Sequence, residues 1–384
     1  MRIAYVTETW PPELNGVAAT AARTVAWLRA RGHEVNVIRP RQSDEKAGES
    51  IGELRVPGIA LPMYPTLRVG APLIAALKRR WLAAPPALVH VATEGPLGWA
   101  ACRAARVLDL PLSSDLRTHF DLYSDYYGWG MLKPLVGGYL RAFHNATDRT
   151  FVPTRALAAQ LRGRGFVEVS VAGRGVDAQR FDPALRSELL RSAWGVRPDG
   201  VVLLHVGRLA AEKNLPLALA SFAAVREAVP DARLVIVGDG PLRDSLQRQA
   251  GPGVHFAGPK SGSELAAHYA SADILLVPSL TETFGNVTLE GLASGLAVIA
   301  FDVAAAAVHI GHGANGLLAA VGDAQGFMRL AQQAAMAGPA LQPLRDAARR
   351  SAERVSWDSI LTAFERELLQ VAARQRSGVA AYAA

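Results

Sequence analysis

Cysteine is nearly missing from this sequence. Cys102 is the single thiol among 384 residues, so no internal disulfide can form and nothing argues for an oxidising compartment. Long apolar runs are missing as well. There is no uncharged apolar run of roughly 20 residues, the length that a spanning helix needs. The opening Met1–Val6 turns polar at Thr7, Glu8 and Thr9, too soon for a signal peptide. The chain also lacks an Asp-x-Asp pair, a His/Cys ligand cluster and a Walker-type glycine loop. Gly311–Gly316 fits Gly-x-Gly-x-x-Gly formally, but no strand pattern precedes it, so it reads as a loop. These absences lead to the expectation of a soluble cytoplasmic protein.

Half of the residues are hydrophobic and 20% are charged, a globular composition that can fill sizeable cores. The net charge of +7 is unevenly spread: residues 1–178 hold 22 Lys and Arg against 15 Asp and Glu, whereas residues 179–384 hold 19 of each. The excess reads either as arginine-rich usage or as attraction to an acidic partner such as a lipid surface or a charged glycan. The basic residues are scattered and no recognition motif accompanies them, which argues against nucleic acid. Leu73–Leu82, which holds Lys78, Arg79, Arg80 and Trp81, reads either as an ordinary half-buried helix or as a basic membrane-facing patch with an interfacial tryptophan.

Short apolar runs alternate with amphipathic stretches throughout, so the fold class is α/β with two parallel-sheet units. Gly173, Gly175, Asp177 and Pro183 break the pattern. The predicted domains are residues 1–175 and 176–356, with a last helix over 357–376 that packs back on the first. Ligands of such sheets belong at the carboxyl ends of the strands, in a cleft.

Several strand-to-helix segments could carry chemistry there. Gly207-Arg208 and Lys213-Asn214 place two cations just past a strand, suited to a pyrophosphate, or else form a solvated loop before a helix. Gly238-Asp239-Gly240-Pro241 is a glycine turn opening a helix. In Pro278–Glu290, Glu282 precedes and Glu290 follows a helix start near Gly285-Asn286, so both carboxylates can face one ligand or simply lie on the surface. The first amides of that helix suit an anionic oxygen. Gly16, after the first strand, can bring backbone near a ligand or end a plain loop. Arg117 and His119 would share one side of an extended strand, and His119 could act on an acceptor hydroxyl or be structural.

Taken in this order, these segments resemble a retaining glycosyltransferase of family 4. Arg174-Gly175-Val176-Asp177 and Ser356-Trp357-Asp358 add to the likeness. The resemblance implies a GT-B fold: two Rossmann-like domains facing a cleft, with a C-terminal crossover helix. It implies sugar transfer from a nucleotide-sugar donor to a hydroxyl of a glycolipid or glycan, without a cofactor or a catalytic metal. By the same resemblance Arg208 and Lys213 hold the diphosphate and Glu282 contacts sugar hydroxyls. The Phe284, Gly285, Asn286 and Val287 backbone lies under sugar and phosphate, Glu290 holds the ribose, and Gly207 and Gly16 approach the diphosphate. Either Arg117 or His119 takes the acceptor-side role, because relatives place a His where this chain has Arg117. Thr281–Val287 and Tyr126-Tyr127-Gly128 resemble GDP-mannose-dependent α-mannosyltransferases. UDP-sugar-dependent glucosyl or sulfoquinovosyl transfer is the alternative. A non-catalytic nucleotide-sugar binder or an epimerase on the same fold is weighed beside it. Peripheral contact with an anionic membrane is the matching expectation for location.

Overall fold

The structure is a computed structural model, and it describes residues 1–13, 16–42, 45–61, 64–117 and 133–374. His119, Tyr126-Tyr127-Gly128 and the last two residues of the predicted helix 357–376 therefore lie outside the described residues. The chain forms two units. The first reaches Gly173 and resumes at Ile360, and the second runs from Arg174 to Ser359.

In the first unit, β1 (Arg2–Val6), α1 (Gly16–Ala30), β2 (Glu34–Pro40), β3 (Gly48–Ser50) and β4 (Glu53–Val56) come first. A hairpin of β5 (Gly58–Leu61) and β6 (Tyr64–Gly70) follows, then α2 (Ile74–Ala83), β7 (Leu88–Val91), α3 (Pro96–Val107) and β8 (Leu112–Asp115). α4 (Lys133–Asn145), β9 (Arg149–Val152), α5 (Arg155–Gly163) and β10 (Val169–Val171) end this stretch. The sheet order is β10-β9-β8-β7-β1-β2-β4-β3, parallel except at β3. Ile3, Tyr5 and Val6 of β1 are fully buried, as expected of an apolar run covered on both faces of a parallel sheet.

α2 decides between the two readings of Leu73–Leu82. Leu77 and Trp81, one turn apart, are 1% and 3% exposed and pack in the core with Val56 and Leu97. Arg80 pairs with Glu49 at 2.6 Å. Trp81 is thus an ordinary core residue and not an interfacial one, because i, i+4 residues share the inward face of a helix. No helix among the described residues is long and apolar enough to cross a membrane.

The second unit contains α6 (Glu188–Ala193), β11 (Val202–Val206), α7 (Leu215–Ala228), β12 (Arg233–Val237) and α8 (Arg243–Gln249). β13 (Val254–Gly258), α9 (Gly262–Ala270), β14 (Ile274–Val277), α10 (Asn286–Ala293) and β15 (Ala297–Phe301) follow. α11 (Ala304–His309), β16 (Leu317–Ala319), α12 (Ala324–Ala337) and α13 (Gln342–Glu353) complete it. Its sheet is parallel with the order β13-β12-β11-β14-β15-β16, the dinucleotide-fold arrangement. Apolar cores cover both faces of that sheet.

The chain leaves the second unit within α14 (Trp357–Ala372). A Cβ on Gly175 would lie 2.5 Å from the Trp357 nitrogen, so glycine is required where the 174–177 segment meets the start of this helix. Further along, Phe364 stacks edge-on against Phe151 and His90 of the first unit, with ring centroids 4.8 and 5.4 Å apart. Leu361, Leu368 and Val371 are buried at helical spacing.

Candidate functional site

Strand order reverses between β11 and β14 in the second unit, which opens a crevice at their carboxyl ends. β11 delivers Gly207 and Arg208 there, and β14 delivers Pro278 to Glu282. The two loops are stitched together. Lys213 Nζ donates to Glu282 Oε1 at 2.5 Å, and Asn214 Nδ2 donates to the Pro278 carbonyl at 3.1 Å. Asn214 adopts the left-handed conformation between the short 3-10 turn Ala211–Lys213 and α7. Arg208 donates through Nε and Nη2 to Glu212, which is 1% exposed, so a buried carboxylate fixes the direction of the guanidinium. The side chains of Arg208 and Lys213 are 38% and 19% exposed, in reach of a ligand while their stems are held.

The Gly238–Gly240 turn supports this loop from below. Leu209 N donates to Asp239 O at 2.9 Å and Gly207 N to Val237 O at 3.0 Å. A Cβ on Gly238 would overlap the Gly207 carbonyl, so two backbones touch where side chains could not.

Gly285 has a φ of 89° and stands at the start of α10, where as the N-cap residue it offers the first amides no side chain. Its Cα side faces the Glu282 side chain, 3.5 Å from where a Cβ would be. Phe284 is buried, while Asn286 and Val287 are half-buried in the first turn. One turn in, Glu290 Oε2 accepts from the Tyr269 hydroxyl at 2.8 Å. Burial, then the neighbouring Glu290 charge, raises the Tyr269 phenol well above its ordinary value, so it stays a donor and orients the carboxylate. Sequence reasoning missed Tyr269, Glu212 and His205. The last is buried in β11, and its only sequence signal is a polar residue inside an apolar run.

In the first unit the strand order reverses between β1 and β7. Glu8 follows β1 and Glu94 follows β7, and both are buried. Glu8 Oε1 accepts from Leu97 N at 2.8 Å at the start of α3, and Thr93 Oγ1 accepts from Glu8 N at 2.9 Å. Burial above all, and Glu94 nearby, push the Glu8 carboxyl up to about 7. His144 Nε2 stands 3.4 Å from Glu94 Oε1.

Arg117 is placed in the interior, 7% exposed. It is paired with Asp115, donates to the Tyr5 hydroxyl at 3.0 Å and reaches the Val17 carbonyl at 3.4 Å. Its guanidinium is thus engaged inside the first unit, and His119, the other candidate for the acceptor side, lies outside the described residues. Gly16 opens α1, with its carbonyl taken by Thr20 Oγ1 at 2.7 Å. Cys102 is buried, and burial pushes its thiol up to about 12. Gly311–Gly316 is a loop after α11, closed by Asn315 Oδ1 accepting from Gly311 N at 2.8 Å.

Comparison with known proteins extends this geometry. Residues 14–180 match the model described as Glycosyltransferase Family 4, and residues 200–335 match that described as Glycosyl transferases group 1. The chain is 36% identical over 365 residues to a GDP-mannose-dependent alpha-mannosyltransferase of Mycobacterium tuberculosis (strain CDC 1551 / Oshkosh), covering 93% of each. It is 30% identical to an alpha-monoglucosyldiacylglycerol synthase of Streptococcus pneumoniae, over 78% of this chain and 71% of that one. Sucrose-phosphate synthase from Thermosynechococcus elongatus shares the fold with a TM-score of 0.79, 19% identity and coverage of 97% and 100%.

Proposed function

The chain belongs to glycosyltransferase family 4 and has the GT-B fold; from that premise we propose that it transfers mannose from GDP-mannose to a hydroxyl of a glycolipid or glycan, with retention at the anomeric carbon. One observation carries the donor side of this reading: Arg208, Lys213 and Glu282 converge on the loops at the β11/β14 reversal.

Breaking the bond between sugar and diphosphate loads negative charge on the leaving oxygen. Arg208 and Lys213 are the groups to absorb it, helped by the first amides of α10. Each such contact lowers the barrier by about 3 kcal/mol. Arg208 is already oriented by the buried Glu212, so little reorganisation of that cation accompanies the reaction. In this reading Glu282 exchanges its ammonium partner for sugar hydroxyls, Glu290 accepts from the ribose, and positive side chains take the place of a metal. The departing phosphate accepts the proton of the attacking hydroxyl.

The mannosyltransferase relative at 36% identity favours GDP-mannose, and the named glucosyl-lipid synthase favours a glucosyl donor and a lipid acceptor. A thermal-shift screen with GDP-mannose and UDP-glucose separates them: the reading expects a rise in midpoint with the first. A rise with UDP-glucose alone would replace it with the alternative. Release of nucleoside diphosphate only when an acceptor is added excludes an epimerase. The membrane part of the reading rests on the positive balance of residues 1–178 rather than on α2. Flotation with anionic vesicles at low and high salt tests it, and no binding at low salt removes it.

A further inference from the structure

β11 carries an imidazole where its neighbours are apolar. His205 is 2% exposed, its partner across β12 is Ile236, and Leu276 lies beside it on β14. Nδ1 lies 3.1 Å from the Leu276 carbonyl. A carbonyl only accepts, so Nδ1 carries the proton and the neutral ring has its lone pair on Nε2. Nε2 is buried and has no hydrogen-bond partner among the described residues. It faces the turn above: a Cβ built on Gly207 would stand 3.6 Å from Nε2 and 3.9 Å from both Cδ and Cε of Lys213. Nε2 and the Lys213 stem therefore line one small space.

Phosphate and carboxylate oxygens have no proton to offer such a lone pair, whereas an ammonium does. We propose that His205 is a positioning residue for Lys213, an inference that rests on the donor-site reading above: its Nε2 accepts from the Lys213 ammonium when a nucleoside diphosphate draws that ammonium from Glu282. The cation then turns between two neutral or anionic acceptors without losing its place. Burial first, with Lys213 adding to it, holds the imidazole down to about 4, which keeps the lone pair available.

The test measures dissociation constants of GDP and UDP for the full chain by calorimetry, in wild type, His205→Asn, His205→Gln, Lys213→Ala and the double variant His205→Asn/Lys213→Ala. Asn restores the bond to Leu276 but stops short of the Nε2 position, which Gln reaches. Binding of the preferred nucleotide is expected to weaken about tenfold in His205→Asn and to stay within about twofold in His205→Gln. The Asn change should have no further effect once Lys213 is Ala. Wild-type affinity in His205→Asn overturns the proposal, and so does an equal loss in the Lys213→Ala background, which marks a purely structural role. If Lys213→Ala alone binds like wild type, the donor-site reading has failed first, whatever His205 does.

Discussion

The two sheets reverse their strand order in the same way, yet they place opposite chemistry at the reversal. In the second unit the groups there are Arg208 and Lys213, held by carboxylates with their tips partly open to solvent. In the first unit Glu8 and Glu94 stand there, with Arg117 just past β8, and all three are less than 9% exposed. Glu8 accepts from the Leu97 amide, Arg117 pairs with Asp115 and donates to Tyr5, and Glu94 lies 3.4 Å from His144. The topology fixes where a ligand can approach. Exposure decides whether the charge found there serves a ligand or the fold.

The sharpest way to break this comparison is to remove one cation from each unit. Arg117→Ala leaves Asp115 buried without its main partner and should destabilise the protein by about 3–5 kcal/mol, read as a lowered denaturant midpoint. A well-folded Arg117→Ala with lost turnover would reverse the contrast. Lys213→Ala should lower kcat/KM by about 10²–10³ with the unfolding midpoint nearly unchanged. Wild-type turnover there would remove the second unit's part in the reaction.

Acid and base sharpen the contrast, because the buried groups titrate in opposite senses. Glu8 keeps its proton up to about 7 when folded, against an ordinary 4.5, so its contribution to stability is present at low pH and lost as pH rises through this window. His205 resists protonation down to about 4, against an ordinary 6.5, so its contribution is present above 6.5 and lost as pH falls toward 4. Glu8→Gln keeps an acceptor for the Leu97 amide and should add stability above pH 7, by at most about 3 kcal/mol, while flattening the alkaline limb of the profile. An unchanged limb measured by urea unfolding would show that Glu8 is already ionised at neutral pH. The smallest effect is Tyr269→Phe, which removes one of the bonds that orient Glu290 and should raise the donor KM by about five- to tenfold at unchanged stability.

The repeating strand and helix pattern was legible because strands such as Ile274–Val277 are buried on both faces and read as unbroken apolar runs. β3 to β6 were not, because Gly48–Ser50 is exposed throughout and Ile51 stands fully in solvent, so no period marks them. The loops bearing Arg208, Lys213, Glu282 and Glu290 could be found from glycines and charges at strand ends. Their partners could not. Lys213 and Glu282 are 69 residues apart in sequence, and only the sheet order makes them neighbours. Trp81 is open to two readings in the sequence, a lipid-facing patch or a half-buried helix, and the packing of Leu77 and Trp81 in the core selects the second.

The passage of the chain through α14 limits how this protein can be dissected. A fragment covering 174–359 is one contiguous piece, so it is a sensible candidate for isolated expression. Its complement is not. Residues 1–173 alone would lack Phe364, Leu368 and Val371, leaving Phe151 and His90 with an uncovered apolar scar. Anyone cutting the gene at the first boundary should graft residues 360–374 back by a linker, or expect an aggregating half.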